Sequence, residues 1–435
     1  MNPIILADAA LLTLLLIAGV PVPFCFAGAT LFLFAFGDIN SASFLIGAGF
    51  SKVSSIILIA IPLYILAGGI MSQGGIAARL IDVADSVLGR TKGGLGLVVI
   101  FTTAVFGAIS GMASSAVAAI GSIMIPKMVD RGYDRAYAAT LVSASSVLAL
   151  LIPPSASMIL FGWITGTSIM ACFLAPVVPG FLLIALFALW NRVLAGRMDV
   201  AVAEPAGFSA IAVDFIRKTR RASFALLMPV IILGFIYGGI TTPTEAAAVA
   251  VIYAVPVSLL VYRDLNLKDF WEVLWRSGQT AGVLLVLVFF AAMLSRLFTL
   301  QNVPQEILEA FLAVTSNPIG LLLLANLFLM LIGMFMEDVS GILLAAPLLM
   351  PVMREAGVDP VQFAAIVAVN LGMGLITPPT APILYFGALV GNTQLGPMLK
   401  PAMIFVCFAY LPVVLLTTFI PQLSMALPRL VLGLP

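Results

Sequence analysis

Apolar stretches close to the length that crosses a bilayer recur from one end of this chain to the other. They run over 4–20, 55–71, 172–190, 222–240, 278–295 and 401–420. A helix needs roughly 20 apolar residues to cross hydrocarbon, so each stretch is near one crossing. A chain of 435 residues that is 62% hydrophobic and 9% charged carries more apolar surface than one soluble core can hide. The expected class is therefore an all-α polytopic membrane protein in contact with a lipid bilayer. The first apolar stretch lacks a basic lead-in and a small-residue cleavage site, so it reads as a retained helix.

Composition closes several routes to function. The chain has no histidine, which removes histidine metal sites, Ser-His-Asp triads and histidine proton relays. Cys25, Cys172 and Cys407 stand singly in apolar sequence, with no C-x-x-C pair, and read as small buried hydrophobes. The net charge of +1 gives no reason to expect a nucleic-acid partner.

The basic residues set a topology. With the N-terminus outside, the inside loops are 72–94, 126–135, 191–221, 263–277 and 393–400, and they hold sixteen of the twenty Lys and Arg residues. Lys52, Arg296, Arg354 and Arg429 remain outside. That asymmetry satisfies the positive-inside rule, and the inverted arrangement violates it. The resulting reading has about ten crossings, both termini on the outer side, and two further hairpins that enter and leave on one face. Residues 95–125 are too few for two full spans of about 20 residues each, which favours a re-entrant hairpin. The segment 191–221 contains "RKTRR" and is expected to include an amphipathic surface stretch.

Two prolines break one of the most apolar regions, in "LLIPPSASMILFG" (150–162), and the same pattern returns as "LITPPTAPILYFG" (375–387). The match extends over 126–166 without gaps at an offset of 225 residues, with 13 identities in 41 positions. Pro153 and Pro154 pair with Pro378 and Pro379, Ser155 with Thr380, and Gly132 and Asp134 with Gly357 and Asp359. A small-residue hairpin candidate precedes each copy, at 108–126 and 336–351. In the charge-derived topology the first enters from inside and the second from outside, which makes the copies inverted repeats. Matched interrupted helices in two halves are the sequence signature of a transporter's binding site.

The break has a physical consequence. Proline removes a backbone donor and clashes with the preceding turn. The freed carbonyls are tolerated at membrane depth only against protein, water or a ligand. Those carbonyls, with the hydroxyls of Ser155, Ser157 and Thr380, suit a hard cation such as Na⁺. The N-terminal ends of the adjoining half-helices suit a carboxylate. A purely structural proline kink explains one break more simply than it explains two matched ones. Elsewhere, Thr242, Pro243 and Glu245 have capping-box spacing, which by itself accounts for Glu245. Glu337 and Asp338 stand at the mouth of the second hairpin, where an acid is either interfacial or functional. "GRTKGGLG" (89–96) lacks the context of a phosphate loop and reads as an inside loop.

Taken in order, "GVPVPF", "IPLYILAGGIMSQGGIAARLID", "GAISGMASSAVAAIGSIMIPKM", "LLIPPS", "GGITTPTEAAAVAVIYA", "GMFMEDVSGILLAAPLLMPV" and "NLGMGLITPPTAP" cover nearly the whole chain. In these the sequence resembles the DctM-like large membrane subunit of tripartite ATP-independent periplasmic (TRAP) transporters. The resemblance implies a bacterial inner-membrane location and an elevator-type, sodium-coupled carrier of a small organic anion. It also implies two partners, a small four-helix membrane subunit and a periplasmic substrate-binding protein. The chain opens directly on the large-subunit pattern, so the small subunit is expected as a separate chain. By motif, two Na⁺ sites are implied. The first involves Ser110, Gly111, Ser114, Ser115, Pro153 and Ser155; the second involves Ser340, Gly341, Gly374, Thr377, Pro379 and Thr380. Ser114, Ser157, Asn370, Pro154 and Pro378 are the implied substrate contacts, with the carboxylate between the hairpin tips. Na⁺ is the sole metal and no cofactor is expected. The adjacent acids Glu337 and Asp338 depart from the pattern of one acid followed by a small or polar residue.

The implied arrangement is a scaffold of 1–78, 171–318 and 392–435, against which two transport repeats move. One is 79–170, with hairpin 95–125 and broken helix 136–170. The other is 319–391, with hairpin 319–353 and broken helix 362–391. The competing readings are a stand-alone sodium/dicarboxylate symporter with similar hairpins, an intramembrane enzyme and an ion channel. The enzyme is the weakest, since no catalytic dyad or His/Asp pair is visible.

Overall fold

The computed structural model describes residues 3–37, 42–201 and 207–433. Residues 38–41 of the expected N-terminal scaffold and 202–206 of the basic 191–221 segment lie outside the described residues. Among the described residues every regular element is a helix. Six single helices are long and apolar enough to cross a membrane, and two bent pairs raise that number to eight. The chain is thus a multi-pass helical membrane protein, as its hydropathy demands.

One body of helices is built around Leu267–Leu300, the longest at 34 residues. It packs on Val22–Phe36, Ala42–Val53 and Ala60–Gln73, and the last of these packs on Pro243–Pro256. Pro243–Pro256 begins with the expected capping box: Glu245 N donates to Thr242 Oγ1 at 3.3 Å, and Thr242 N donates to Glu245 Oε2 at 2.7 Å. Glu245 is therefore occupied in satisfying a helix start. The basic segment contains the helix Phe208–Arg221, polar on one side and apolar on the other. It is bent by 65° from the apolar helix that follows.

The repeat seen in sequence is also a repeat of elements. The first copy has a helical pair, Gly94–Ser110 and Ala113–Val129, followed by Arg135–Ser146, a one-turn helix Leu148–Leu151 and Ala156–Thr165. The second has Pro318–Phe335 and Asp338–Glu355, then Pro360–Gly374 and Pro382–Gly391. The second arms of the two pairs start 225 residues apart, as do the two broken helices. An amphipathic helix precedes each pair, Ile76–Leu88 and Val303–Val314.

Local chemistry explains these boundaries. Asp134 accepts from Tyr137 N at 2.8 Å and Asp359 from Val361 N at 2.7 Å, so both acids of the Gly-x-Asp turns cap a broken helix. The glycines before them, Gly132 and Gly357, have φ of +88° and +77°, a region that favours glycine. The first broken helix bends by 43° where the prolines interrupt it.

The copies interlock reciprocally. Ala156–Thr165 of the first packs on Asp338–Glu355 of the second, and Pro382–Gly391 of the second packs on Ala113–Val129 of the first. Phe161 and Phe363 meet edge-to-face at 5.5 Å between ring centroids, and Arg135 donates to Gly391 O at 3.1 Å. Each copy is also tied to the helix after it by residues at matching positions. Tyr137 donates to Asn191 Oδ1 at 2.9 Å, and Gln362 donates to Thr418 O at 3.0 Å.

Candidate functional site

The tip of each hairpin meets the unwound stretch of its own broken helix. In the first copy Gly111 turns the chain with φ +66°, and its amide bonds to Gly107 O at 2.8 Å. Gly111 O accepts from Ala156 N at 3.4 Å, directly after the Pro153–Pro154–Ser155 break. A methyl group on Gly111 would stand 3.0 Å from Pro154 O, and one on Gly107 would stand 2.5 Å from Ala149 Cα. Glycine at both positions lets two backbones touch. In the second copy a methyl group on Gly374, the position matching Ala149, would meet Gly333 C at 2.5 Å. Thr380 Oγ1 donates to Met334 O, joining the second break to the end of the first hairpin arm.

The expected first site is compact and oxygen-rich. Ser110, Gly111, Pro153, Pro154 and Ser155 are all buried, and Ser114 and Ser115 are half-buried beside them in sequence. The Oγ atoms of Ser110 and Ser155 are buried without a protein hydrogen-bond partner. A buried hydroxyl without a partner carries a cost of about 1–3 kcal/mol, which a water or a ligand at these two oxygens would offset. Hydroxyl and carbonyl oxygens with no nitrogen or sulfur among them match a hard cation.

In the second site the hydroxyls are engaged. Ser340 Oγ donates to Glu337 O at 2.9 Å and Thr377 Oγ1 to Met373 O at 2.6 Å. A hydroxyl that gives its proton to a carbonyl keeps its lone pairs for a cation. Gly341 packs under Leu371, Pro378 is half-buried and Pro379 is exposed.

Among the implied substrate contacts, Ser157 and Asn370 lie in different surroundings. Ser157 donates to Asp338, a carboxylate only 3% exposed at the start of the second hairpin's return arm. This bond joins the first broken helix to the second hairpin, between the two copies. Asn370 is fully buried; its Nδ2 donates to Asn326 Oδ1 and to Ile366 O, each at 2.9 Å. Asn326 bonds in turn to Thr418 at 3.0 Å, so Asn370 belongs to a chain of polar contacts behind the break. Its Oδ1 is unpartnered, as is the Oγ of Ser145, the matching residue of the first copy.

Sequence reasoning missed Ser145, the Gly107–Ala149 contact and the role of Asp338. The constant 225-residue offset pairs Ser145 with Asn370 and Ala149 with Gly374, and so carried the signal for the first two. Nothing in the sequence alone pairs Asp338 with Ser157, 181 residues away.

Three comparisons with known proteins bear on this arrangement. The chain is 37% identical over 372 residues to the C4-dicarboxylate TRAP transporter large permease protein DctM of Pseudomonas aeruginosa, covering 86% of each. It is 34% identical over 418 residues to the isethionate TRAP transporter permease protein DctMQ of Oleidesulfovibrio alaskensis, covering 95% of this chain but only 64% of that protein. Its fold matches the crystal structure of the Alcanivorax borkumensis YdaH transporter with a TM-score of 0.63 at 16% identity, over 96% of this chain and 99% of the other. Residues 9–423 match the family model described as "Tripartite ATP-independent periplasmic transporter, DctM component", and the chain belongs to that family.

Proposed function

We propose that this chain is the large permease subunit of a sodium-coupled importer of a small organic anion. A small four-helix membrane subunit and a periplasmic binding protein complete the system. The observation that carries the reading is the pair of matched hairpin-and-break sites, one of which holds two buried, unpartnered hydroxyl oxygens. Na⁺ is the coupling ion and is held at each hairpin tip by hydroxyls and freed carbonyls. The solute's anionic group lies between the tips, near Ser114, Ser157 and the prolines 154 and 378. The relatives' printed solutes include C4-dicarboxylate, isethionate, sialic acid and ectoine and so differ in chemistry; the organic anion proposed here is named by class alone.

The mechanism is an elevator. The hairpins and broken helices, 79–170 and 319–391, move as a body against the remaining helices in a ten-crossing topology with both termini outside. Each Na⁺ entering down 100 mV supplies about 2.3 kcal/mol, so two drive the uptake of a monoanion without ATP. The test is uptake of labelled organic acids into proteoliposomes containing this chain and its small subunit, with and without an inward Na⁺ gradient and the binding protein. Uptake that requires both is the expected result. Sodium-driven uptake without the binding protein makes the chain a stand-alone symporter, and uptake indifferent to sodium contradicts the reading.

A further inference from the structure

We propose that a cavity of about 440 Å³ between the scaffold and the transport repeats is an anion-binding vestibule for the transported solute. Its ligand is a carboxylate or sulfonate group. The inference rests on the transport reading above and adds an outer station to it. The walls come from both bodies. Ser51, Lys52, Ser295 and Arg296 belong to scaffold helices, while Trp163 lies on the first broken helix and Leu343 on the second hairpin.

Two positive charges face this space, and the described residues provide no carboxylate within ion-pairing distance of either. Each cation instead lies over an aromatic ring. Lys52 Nζ is 4.8 Å from the Trp163 centroid and Arg296 Cζ is 5.1 Å from that of Phe44. A ring face orients a cation and leaves its charge uncompensated. Two exposed cations beside hydroxyls, with no carboxylate partner among the described residues, concentrate anions at the cavity. Lys52 and Arg296 are also two of the few basic residues assigned to the outer side, where a delivered solute arrives.

The position fits a waiting site. Trp163 lies six residues beyond Ser157, and the lining residues Leu343 and Pro347 lie five and nine beyond Asp338. At about 1.5 Å per residue the cavity sits on the order of 8–13 Å along both helices from the Ser157–Asp338 bond. That bond lies at the tip of the second hairpin, where its return arm begins. The cations stand on the scaffold, so movement of the repeats draws the anion away from them and they do not travel with it.

The test has two arms, both on the chain with its small subunit in phosphatidylcholine vesicles. In the first, iodide is the probe. Quenching of Trp163 emission is taken as the difference between the native chain and Trp163→Phe, with neutral acrylamide as control. The expected result is an iodide-to-acrylamide quenching ratio several-fold above that of the remaining tryptophans. It falls to their level in the double variant Lys52→Gln, Arg296→Gln and is restored by Lys52→Arg, Arg296→Lys. Potassium succinate should compete. A ratio unchanged in the double Gln variant overturns the proposal. So does competition by added phosphatidylglycerol but not succinate, which makes the cavity a lipid-headgroup site.

In the second arm the double Gln variant should raise the KM for solute about tenfold, the order expected for losing charge-assisted contacts, with unchanged half-saturating Na⁺. An unchanged KM overturns the vestibule's place on the solute path. If the native chain shows the iodide effect but no sodium-driven uptake, the transport reading fails while the anion site stands.

Discussion

The two copies of the hairpin-and-break unit share a register and differ in how they finish the break. In the first, the helix runs through Leu148–Leu151 up to the prolines, and only 152–155 are unwound before Ala156. In the second, the helix stops at Gly374, and 375–381 are non-helical before Pro382. The cause is visible in composition: Val147, Leu148 and Ala149 of the first copy correspond to Gly372, Met373 and Gly374 of the second. Each glycine costs a helix about 1 kcal/mol relative to alanine, and the second helix ends at Gly374, two residues earlier in the shared register than the first at Leu151. The first break is buried, with unpartnered hydroxyls at Ser110 and Ser155. The second is exposed at Pro379, and its Thr377 and Thr380 hydroxyls bond to main-chain carbonyls. One duplicated sequence thus yields a closed break with two unpartnered hydroxyls and a more open break whose hydroxyls are already engaged.

If that comparison is right, the largest shared effect comes where the copies are most alike. Gly107→Val and Gly374→Val each force a side chain into backbone contact, and each should cost about 2 kcal/mol or more. Thermal unfolding of the purified complex should show a similar drop for both. A drop confined to one would break the symmetry.

A smaller effect tests what joins the copies. Ser157→Ala removes the hydroxyl that donates to the buried Asp338 carboxylate, at an expected cost of about 1–3 kcal/mol. Asp338→Asn in the same background should recover part of that loss, because a neutral amide tolerates burial better than a carboxylate. Strict additivity of the two changes in a double-mutant cycle would show that the bond does not couple the halves. The smallest effect belongs to a feature of the first copy alone, the partly exposed pair Lys127 Nζ–Asp85 Oδ2 at 3.0 Å. Lys127→Gln should change stability by less than about 1 kcal/mol, and a larger shift would give this pair a role that its exposure does not predict.

Much of this architecture was legible from the chain. Repeated apolar stretches required membrane helices, and paired Pro-Pro motifs at a fixed offset located both breaks. Capping patterns placed Glu245 correctly at a helix start. The helix ends were less legible. The first hairpin runs a few residues beyond the expected 95–125, over Gly94–Ser110 and Ala113–Val129, with its turn at Gly111 and Met112 inside "SGMASS"; the second, Pro318–Phe335 and Asp338–Glu355, lies close to the expected 319–353. Among site residues, those at the prolines and glycines could be found because backbone geometry demands those types. The Ser157–Asp338 bond could not, since it depends on how two distant segments pack. The same holds for the convergence of Lys52 and Arg296, which the charge count separates by 244 positions.

The central claim is that both breaks are sodium sites despite their different closure. The most direct test is the Na⁺ concentration dependence of solute uptake in Ser155→Ala, Thr380→Val and the double variant. Each single change should raise half-saturating Na⁺, and the double should raise it further. Ser155→Ala should leave unfolding temperature nearly unchanged, because its hydroxyl has no protein partner to lose. Thr380→Val should lower it, because the bond to Met334 O is lost. A sodium dependence identical to that of the native chain in both single variants would contradict the account.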